Sequence, residues 1–314
     1  MTIRHNVRVA AHTTFGVGGL VSEYWRVRTP EALVGAVQAA RARGQKHCLL
    51  AGGSNVVFGD KKYDGLVIHY LADPKASPCQ WQGEALTCEA GLALSRLIAS
   101  SVKHGLAGLE ALSGIPGTVG GAVVGNAGAY GQCISDHLTA VQIFDPFVKH
   151  RVFNKGVRWF NKSQCRFAYR DSIFKHKPWL VLRIKFKLKK GDKKTLAAKS
   201  REIIKIRARR YPSGLRCPGS FFKNVLVKAV SKKALAKIDQ TKIIAGKIPA
   251  GYLLEAVGAK GLKLGGLKIA DFHGNLLVNT GRATFADVKK LATLLKTRVH
   301  KKFGLELEEE VRYL

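Results

Sequence analysis

Two glycine-rich segments hold the residues best suited to bind a ligand through the protein backbone. The first, Gly52-Gly53-Ser54-Asn55, directly follows the apolar run 47–51. Successive glycine amides form anion-binding nests, and Ser and Asn add side-chain donors, so a diphosphate is the expected ligand. A tight turn also explains these four residues. The segment is neither a G-x-G-x-x-G dinucleotide fingerprint nor a P-loop with its lysine.

The second segment, residues 114–131, is longer and has the sequence GIPGTVGGAVVGNAGAYG. It lies within 25 residues, 111–135, that carry no charge, which is long enough to cross a bilayer. Seven glycines, with Pro116, Asn126 and Gln132, disfavour membrane insertion. Glycine is costly in a core, so the run predicts backbone passing close to a large, planar, polar-edged ligand. A surface loop is the alternative.

Helices and short strands alternate through the first two-thirds of the chain and must position these segments. Thr29 and Pro30 predict the start of a helix that ends before Gly44. A capping box at Thr284 predicts a last helix that ends at Gly304, followed by a strand-like tail. Further strands are predicted at 47–51, 66–70 and 85–88, and further helices at 92–104, 199–210 and 250–257.

Residues 180–189 alternate strictly between two kinds of side chain. Positions 180, 182, 184, 186 and 188 are apolar, and four of the five intervening residues are basic. This period of two predicts a half-buried strand with a basic solvent face. Lysines on such a face are a common protection of an exposed sheet edge.

The positive charge is concentrated in the middle of the chain. The formal net charge is +32, and residues 149–233 carry 27 Lys and Arg against three Asp and Glu. Such an excess fits a nucleic-acid-binding protein, but it equally fits attraction of a small acidic substrate. Because no motif of stacked aromatic residues accompanies it, we expect no specific nucleic-acid partner, and nucleic-acid binding is kept as an alternative.

The composition limits the class of protein and the number of domains. A chain of 314 residues with 46 % hydrophobic residues predicts two domains with large cores and excludes disorder. We place the boundary in a loop near Gly191.

The charged residues 1–10 lack the apolar core of a secretory signal, which predicts a cytoplasmic location. Six scattered cysteines without a C-x-x-C pair predict buried free thiols, with neither a disulfide framework nor a metal site.

Six segments, taken in order, resemble the UDP-N-acetylenolpyruvoylglucosamine reductase family, flavoenzymes of peptidoglycan precursor synthesis. They span nearly the whole chain. They are TTFGVGG at 13–19, AGGSN at 51–55, IPGTVGGAVVGNAGAYG at 115–131, YRDS at 169–172, GSFFKN at 219–224 and EEEVR at 308–312.

The resemblance implies an α+β protein of two domains. Residues 1–190 would form a two-lobed FAD-binding domain of the vanillyl-alcohol-oxidase (PCMH) type. Residues 191–314 would form a smaller C-terminal α/β substrate-binding domain whose tail returns to the active site. By the same resemblance, FAD is held noncovalently by Gly52, Gly53, Ser54, Asn55, Gly117, Thr118, Gly120, Gly121, Asn126 and Gly128.

The implied reaction uses NADPH to reduce the enolpyruvyl ether of a UDP-sugar. Hydride addition at the methylene carbon leaves negative charge beside the carboxylate, so the site needs a cation and a proton donor. By resemblance, Arg170 is the cation, Ser220 the proton donor and Glu310 a partner for the developing charge. The local alternatives are an Arg170–Asp171 pair, a turn at Ser220 and an exposed glutamate at 310.

Substrate contacts are implied for Tyr169, Lys223 and Asn224. The family often has a substrate-contacting Gln where this chain has Ala256. We expect a monomer without a membrane span. Besides nucleic-acid binding, the other alternative function is an FAD oxidase of the same fold that acts on a sugar or alcohol.

Overall fold

The computed structural model describes residues 1–73, 76, 79–148 and 156–314. The strands are β1 (Thr2–Arg8), β2 (Leu20–Val27), β3 (His47–Leu50), β4 (Val56–Val57), β5 (Tyr63–Tyr70), β6 (Cys79–Gln82), β7 (Ala85–Glu89), β8 (Leu106–Ala107), β9 (Gly128–Ala129), β10 (Gln132–Cys133), β11 (Leu138–Phe144), β12 (Val157–Asn161), β13 (Leu180–Lys187), β14 (Lys189–Lys190), β15 (Val225–Leu226), β16 (Lys247–Ile248), β17 (Lys263–Leu264), β18 (Leu267–Ile269), β19 (Leu277–Asn279) and β20 (Arg312–Tyr313). The helices are α1 (Pro30–Ala42), α2 (Leu94–Lys103), α3 (Val119–Val124), α4 (Lys193–Arg210), α5 (Lys232–Leu235), α6 (Ala250–Ala256) and α7 (Phe285–Phe303).

The first compact unit comprises Met1–Val7, Val21–Gly52 and Asp64–Arg209. It contains a four-stranded sheet in the order β1-β2-β5-β3 and a five-stranded sheet in the order β12-β11-β13-β7-β6. Strands β3 and β5 are parallel, and helix α1 connects β2 to β3. Helix α2 buries Leu94, Leu97 and Ile98, the three-and-four spacing by which an amphipathic helix packs on a core.

Local sequence accounts for the start of α1. Thr29 is the N-cap, and its hydroxyl accepts a hydrogen bond from the Ala32 amide at 3.1 Å. Pro30 occupies the first helical position, where its missing N–H group costs nothing. The prediction for this helix is confirmed.

Strand β13 confirms the predicted strand but corrects its position in the sheet. It lies between β11 and β7, so its lysines do not protect a sheet edge. Val181 is only 5 % exposed, and the partly buried Arg183 donates to Glu31 and Gln142. The basic solvent face therefore begins at Lys185, because the first half of the strand is covered on both sides.

The second compact unit comprises Arg8–Leu20, Gly53–Tyr63 and Arg210–Leu314. It contains the three-stranded sheet β17-β18-β19, the antiparallel pair β15–β16 and the parallel pair β4–β20. Helix α7 buries one face along its length in this core: Val288, Leu291, Ala292, Leu295, Val299 and Phe303.

Helix α7 has both ends that its sequence predicts. Thr284 and Asp287 form a capping box, with the Thr284 hydroxyl accepting from the Asp287 amide at 3.1 Å. Gly304 ends the helix with a φ of 70°, the left-handed conformation that glycine adopts without strain. The tail beyond it has only the two-residue strand β20, shorter than predicted, because its other contacts are single bridges and side-chain pairs.

The compact units part at Arg209 and Arg210, whereas the sequence placed a boundary near Gly191. Helix α4 stays with the first unit because its Leu196 and Ile203 are buried. The second unit also takes two short segments from the first 63 residues. Which function each domain performs stays a prediction.

The six cysteines are free thiols in the structure; Cys88, Cys165 and Cys217 are buried, as predicted, whereas Cys48, Cys79 and Cys133 are only partly buried. Among the described residues no cluster of His, Cys, Asp and Glu is arranged to hold a metal ion. In the same part of the chain, no helix has the length and apolarity that crossing a membrane requires. The uncharged stretch 111–135 contains one α-helix, the six-residue α3, together with turns, short strands and parts of two 3-10 helices.

Two helical glycines predict opposite effects of added methyl groups. A Cβ at Gly120 in α3 would lie 2.7 Å from the Ala90 Cβ, whereas a Cβ at Gly35 in α1 would meet nothing within 4 Å. We expect Gly120→Ala to lower the free energy of unfolding by about 1–3 kcal/mol through overpacking. Gly35→Ala should raise it by about 0.5–1 kcal/mol, because alanine favours the helix and restricts the unfolded chain.

Urea unfolding of both variants and the parent chain measures these changes through the transition midpoint at constant m. A Gly120→Ala protein as stable as the parent would contradict the packing explanation.

Candidate functional site

The two glycine-rich segments meet in the first unit at Gly52 and Gly117. A Cβ on Gly52 would lie 2.6 Å from the Gly117 Cα, so the two backbones are in direct contact. The next residue, Thr118, caps α3, and its hydroxyl accepts from the Gly121 amide at 3.1 Å. The structure therefore brings together Gly52, Gly117, Thr118 and Gly121, four of the residues expected to bind a cofactor.

Gly120 and Gly121 have different surroundings. The Gly120 amide donates to the Ala90 carbonyl at 2.8 Å, and the residue is buried against Ala90. Gly121 is exposed, and a Cβ there would contact only the Thr118 hydroxyl at 3.4 Å. Gly120 thus allows α3 to pack, whereas Gly121 presents bare backbone that a flat ring can approach.

Asn126 supplies a test of whether this surface fits a polar-edged ligand. The residue is 6 % exposed, and its Nδ2 donates to the Ala168 carbonyl at 2.8 Å. Its Oδ1 is buried and has no hydrogen-bond partner in the described part of the chain. An unpaired buried acceptor costs about 1–3 kcal/mol. The site therefore fits a bound group with an N–H or O–H donor at its edge, as a flavin ring has.

Arg170 lies on a loop that hydrogen bonds hold against this segment. The Ser172 hydroxyl donates to the Val124 carbonyl at 2.7 Å, next to the Asn126–Ala168 bond. Arg170 Nη2 donates to the Gly128 carbonyl at 2.8 Å, and Lys175 Nζ donates to the Arg170 carbonyl at 2.5 Å. The structure thus places the predicted cation beside two predicted cofactor residues, Asn126 and Gly128.

The neighbouring acidic residue has a different partner. His176 Nε2 lies 2.9 Å from the Asp171 carboxylate. Burial opposes ionisation of Asp171, but the hydrogen bonds from His176 and the Ser172 amide, together with the nearby positive charges, hold the pKa of this carboxyl below its usual value. Tyr169, a predicted substrate contact, has its ring centroid 5.5 Å from the Arg170 guanidinium carbon. The alternative of a simple Arg170–Asp171 pair is therefore not favoured.

The rest of the first glycine motif belongs to the second unit. A Cβ on the buried Gly53 would lie 2.2 Å from the His12 carbonyl, and the Gly53 carbonyl accepts from the Thr14 amide at 3.0 Å. Ser54 is partly buried. Asn55 Nδ2 donates to the Glu310 carbonyl at 3.0 Å. The turn expected to hold a diphosphate therefore also holds the C-terminal tail.

Ser220 and Glu310 are brought together by the backbone. The Glu310 amide donates to the carbonyl of Phe221, the residue after Ser220, at 2.8 Å. Ser220 is partly buried, and its Oγ lies 3.3 Å from the Tyr211 hydroxyl, with either group able to donate. The predicted proton donor and the predicted acidic partner thus lie on adjacent segments of one unit, although 90 positions separate them in sequence.

The predicted substrate residues Lys223 and Asn224 are engaged within the second unit. Lys223 Nζ is 2.5 Å from a carboxylate oxygen of Glu308. The Asn224 Oδ1 accepts from the Ala250 amide at 3.1 Å. If Lys223 binds an anionic substrate, as predicted, that substrate has to replace Glu308 at the ammonium group.

Asn275, which was not predicted from the sequence, holds the Ser220 segment from the other side. It is 2 % exposed, and its side chain makes two 2.9 Å hydrogen bonds with the backbone of Phe222. Its carbonyl also accepts from the Phe221 amide at 3.0 Å. An Asn after a Gly indicates a turn, so the local sequence carries no signal of this role.

Glu309 was also not predicted from the sequence, and its side chain holds the C-terminal tail against helix α7. Its Oε1 lies 2.5 Å from Lys296 Nζ on α7, and the Tyr313 hydroxyl donates to its other oxygen. Burial disfavours the charge, but the bonds from Lys296 and Tyr313 outweigh it and lower the pKa of Glu309. We call these bonds from Lys296 and Tyr313 the Glu309 clamp. Through the Phe222–Glu309 bridge, the clamp also holds Glu310 beside the Ser220 segment.

Comparisons with known proteins match both the first and the last part of the chain. Residues 211–314 match the C-terminal domain model of UDP-N-acetylenolpyruvoylglucosamine reductase, and residues 21–147 match an FAD-binding domain model. The chain is 37 % identical to the reductase of Solibacter usitatus, over 100 % of this chain and 97 % of that protein. It is 32 % identical to the Thermotoga petrophila reductase, over 97 % and 96 %.

A solved structure shows the same fold. The crystal structure of the reductase from Thermus caldophilus superposes with a TM-score of 0.73 at 30 % identity and covers 99 % of both chains. The predicted α+β fold, with an FAD-binding domain before a reductase-type C-terminal domain, is confirmed.

The Glu309 clamp predicts a stability that depends on pH. Because its folded-state pKa is lowered, the contribution of Glu309 is complete above the unfolded value of about 4.3 and disappears as the pH falls through the folded value. We expect Glu309→Gln to lower the free energy of unfolding by about 1–3 kcal/mol at pH 7, with the difference shrinking below about pH 4.

The matched control is Glu306→Gln, whose side chain is 77 % exposed and should change stability by less than about 0.5 kcal/mol. Denaturant titrations at several pH values check both variants. Equal effects of the two substitutions at pH 7 would show that no clamp exists.

Proposed function

Because this chain belongs to the UDP-N-acetylenolpyruvoylglucosamine reductase family, we propose that Arg170, Ser220 and Glu310 carry out its reaction. The enzyme catalyses the NADPH-dependent reduction of UDP-N-acetylglucosamine-enolpyruvate to UDP-N-acetylmuramate, a step of peptidoglycan precursor synthesis. The observation that carries the proposal is the hydrogen bond from the Glu310 amide to Phe221, which brings the acidic tail beside Ser220.

FAD, when bound, accepts hydride from NADPH and supplies it to the methylene carbon of the enolpyruvyl ether. The chain has to stabilise the resulting negative charge on the carbon that bears the substrate carboxylate, and it has to deliver a proton to this carbanion carbon. The residues expected to hold FAD are those of the two glycine-rich segments, with Asn126 Oδ1 as the acceptor for a donor on the ring edge.

Arg170 holds the substrate carboxylate and stabilises the enolate oxygen. Its side chain is oriented by the Gly128 carbonyl, and its backbone is fixed by Lys175. A guanidinium held in this way pairs with a carboxylate without further loss of side-chain entropy. Tyr169 beside it contributes to the wall of the substrate site.

Ser220 Oγ delivers the proton to the carbanion carbon. A serine hydroxyl is a weak acid, so the oxyanion left behind needs a donor at once. The Tyr211 hydroxyl, 3.3 Å away, supplies that hydrogen bond. Tyr211 is therefore part of the proposed proton-donating group.

Glu310, in its protonated form, donates a hydrogen bond to the developing charge. Its position is set through its backbone, because its amide and carbonyl bind Phe221 and Asn55. These two bonds to the Glu310 backbone keep the residue beside the Ser220 segment. Lys223 and Asn224 bind the polar part of the substrate, with Lys223 leaving Glu308 to do so.

In this proposal, residues 1–190 form the cofactor-binding domain and also supply Tyr169 and Arg170 to the substrate, and residues 191–314 supply the other substrate contacts. The cytoplasmic location, the monomeric state and the lack of a specific nucleic-acid partner stay predictions.

Replacement of Ser220 separates the two halves of the reaction. We expect Ser220→Ala to slow transfer from the reduced cofactor to the enolpyruvyl substrate by about 10²–10⁴-fold, because proton delivery is lost. Reduction of the cofactor by NADPH should be unchanged. Stopped-flow absorbance of the flavin band without oxygen measures each half-reaction separately.

Ser213→Ala is the matched control, because Ser213 lies on the same segment and is exposed. Reoxidation of the Ser220→Ala enzyme at the parent rate would remove Ser220 from the mechanism.

Arg170→Ala should affect the second half-reaction, with a raised KM for the enolpyruvyl substrate.

The charge of +32 predicts a dependence on salt. NADPH and the UDP-sugar are both polyanions, so attraction by the basic surface should speed their capture. At physiological ionic strength this field is screened within about 8 Å. We expect kcat/KM for both to fall steeply with added KCl, while kcat at saturation changes little. A flat kcat/KM profile would contradict attraction by the surface charge.

A further inference from the structure

Two cysteines face each other across neighbouring strands of the five-stranded sheet. Strands β6 and β7 are antiparallel, and Cys79 and Cys88 are direct partners in their register. Directly opposed residues of an antiparallel pair have Cα atoms about 4.5–5.5 Å apart. A disulfide requires about 4.4–6.8 Å. The backbone therefore already holds the two residues at the separation that an S–S bond needs.

The two thiols differ in accessibility. Cys79 is partly buried on the edge strand β6, whereas Cys88 is 1 % exposed on the inner strand β7. The hydrogen bond between the side chains, from the Cys88 thiol, lowers the pKa of Cys79, and the charge of Arg96 acts in the same direction. Burial raises the pKa of Cys88. Cys79 is thus suited to react first and Cys88 to react second.

We propose that Cys79 and Cys88 form a peroxide-sensitive dithiol that closes to an intrachain disulfide. The Cys79 thiolate attacks one oxygen of a peroxide, the O–O bond breaks, and Cys79 becomes a sulfenic acid while hydroxide leaves. The Cys88 sulfur then attacks the Cys79 sulfur, the S–O bond breaks, and water leaves as the S–S bond forms. The two thiols together lose two electrons, and one peroxide is reduced to two molecules of water.

The other cysteines lack this arrangement in the described part of the chain. Cys48 faces Val67 in the β3–β5 ladder, and Cys133 faces Gly128 in the β9–β10 ladder. Cys165 and Cys217 are buried. Oxidation of those four should therefore not produce an internal disulfide.

The position of the pair gives the disulfide a structural consequence. The chain continues from β7 to Ala90, whose carbonyl accepts the hydrogen bond of the Gly120 amide. An S–S bond would tie edge strand β6 covalently to the strand that leads to this contact.

The experiment treats the purified holoenzyme, without NADPH, with a small molar excess of hydrogen peroxide. Remaining thiols are then alkylated, and the chain is digested without reduction for peptide mass analysis. We expect two of the six thiols to disappear and one cross-linked peptide to join Cys79 and Cys88, with both changes reversed by dithiothreitol. Oxidation that leaves Cys79 and Cys88 unlinked, or that modifies Cys48 or Cys133 first, would overturn the proposal.

Variants test the order of the two steps. In Cys88→Ser, Cys79 should stop at the sulfenic acid, which dimedone traps, and no internal disulfide should form. In Cys79→Ser, Cys88 should stay reduced at the same peroxide dose. Cys48→Ser is the matched control, because it removes another partly buried cysteine and should leave the disulfide intact.

Equal dimedone labelling of Cys88 in Cys79→Ser would contradict the assigned order. The peptide map of the parent chain needs neither activity nor a folded variant, so its outcome is independent of the proposed catalytic residues.

Discussion

Contact between backbones at glycine is the constraint on which the rest of the structure depends. Gly52 lies against Gly117 and Gly120 lies against Ala90 in the first unit, and Gly53 lies against His12 in the second. None of these three glycines has room for a Cβ. Since interiors are close-packed and resist distortion, these contacts fix the loops that carry the polar groups. The ligand-facing surface is therefore shaped by main chain, with few side chains that can move.

Hydrogen bonds between distant segments complete this arrangement. In the first unit, Asn126 binds the Ala168 carbonyl and Arg170 binds the Gly128 carbonyl. In the second, Asn55 and Phe221 bind the carbonyl and amide of Glu310. Each catalytic candidate is positioned mainly by bonds to backbone groups.

The excess of basic residues does not depend on the packing contacts described above. Lys199 pairs with Glu110 and Arg183 with Glu31, which removes two basic groups of the middle segment from the surface field. Three acidic residues among positions 149–233 can neutralise only a small part of the excess. The buried face of β13 shows that basic residues there coexist with an ordinary core. The positive field is thus compatible with an enzyme that binds polyanionic substrates.

The sequence by itself determined the elements whose stabilising contacts are local. Thr29 and Thr284 cap helices through bonds to residues three positions away, so their types and spacing were sufficient. The glycine motifs were also recognisable, because a backbone that approaches a ligand closely requires glycine whatever lies elsewhere. The order of six motifs then indicated the family.

Only the tertiary structure decided the contacts that join distant segments. Asn275 binding Phe222, Glu309 held by Lys296, and Cys79 facing Cys88 all depend on which strands and loops become neighbours. The central position of β13 and the pairing of Lys223 with Glu308 have the same origin. A side chain's local sequence sets what it can bind, but the fold sets which partner comes within reach.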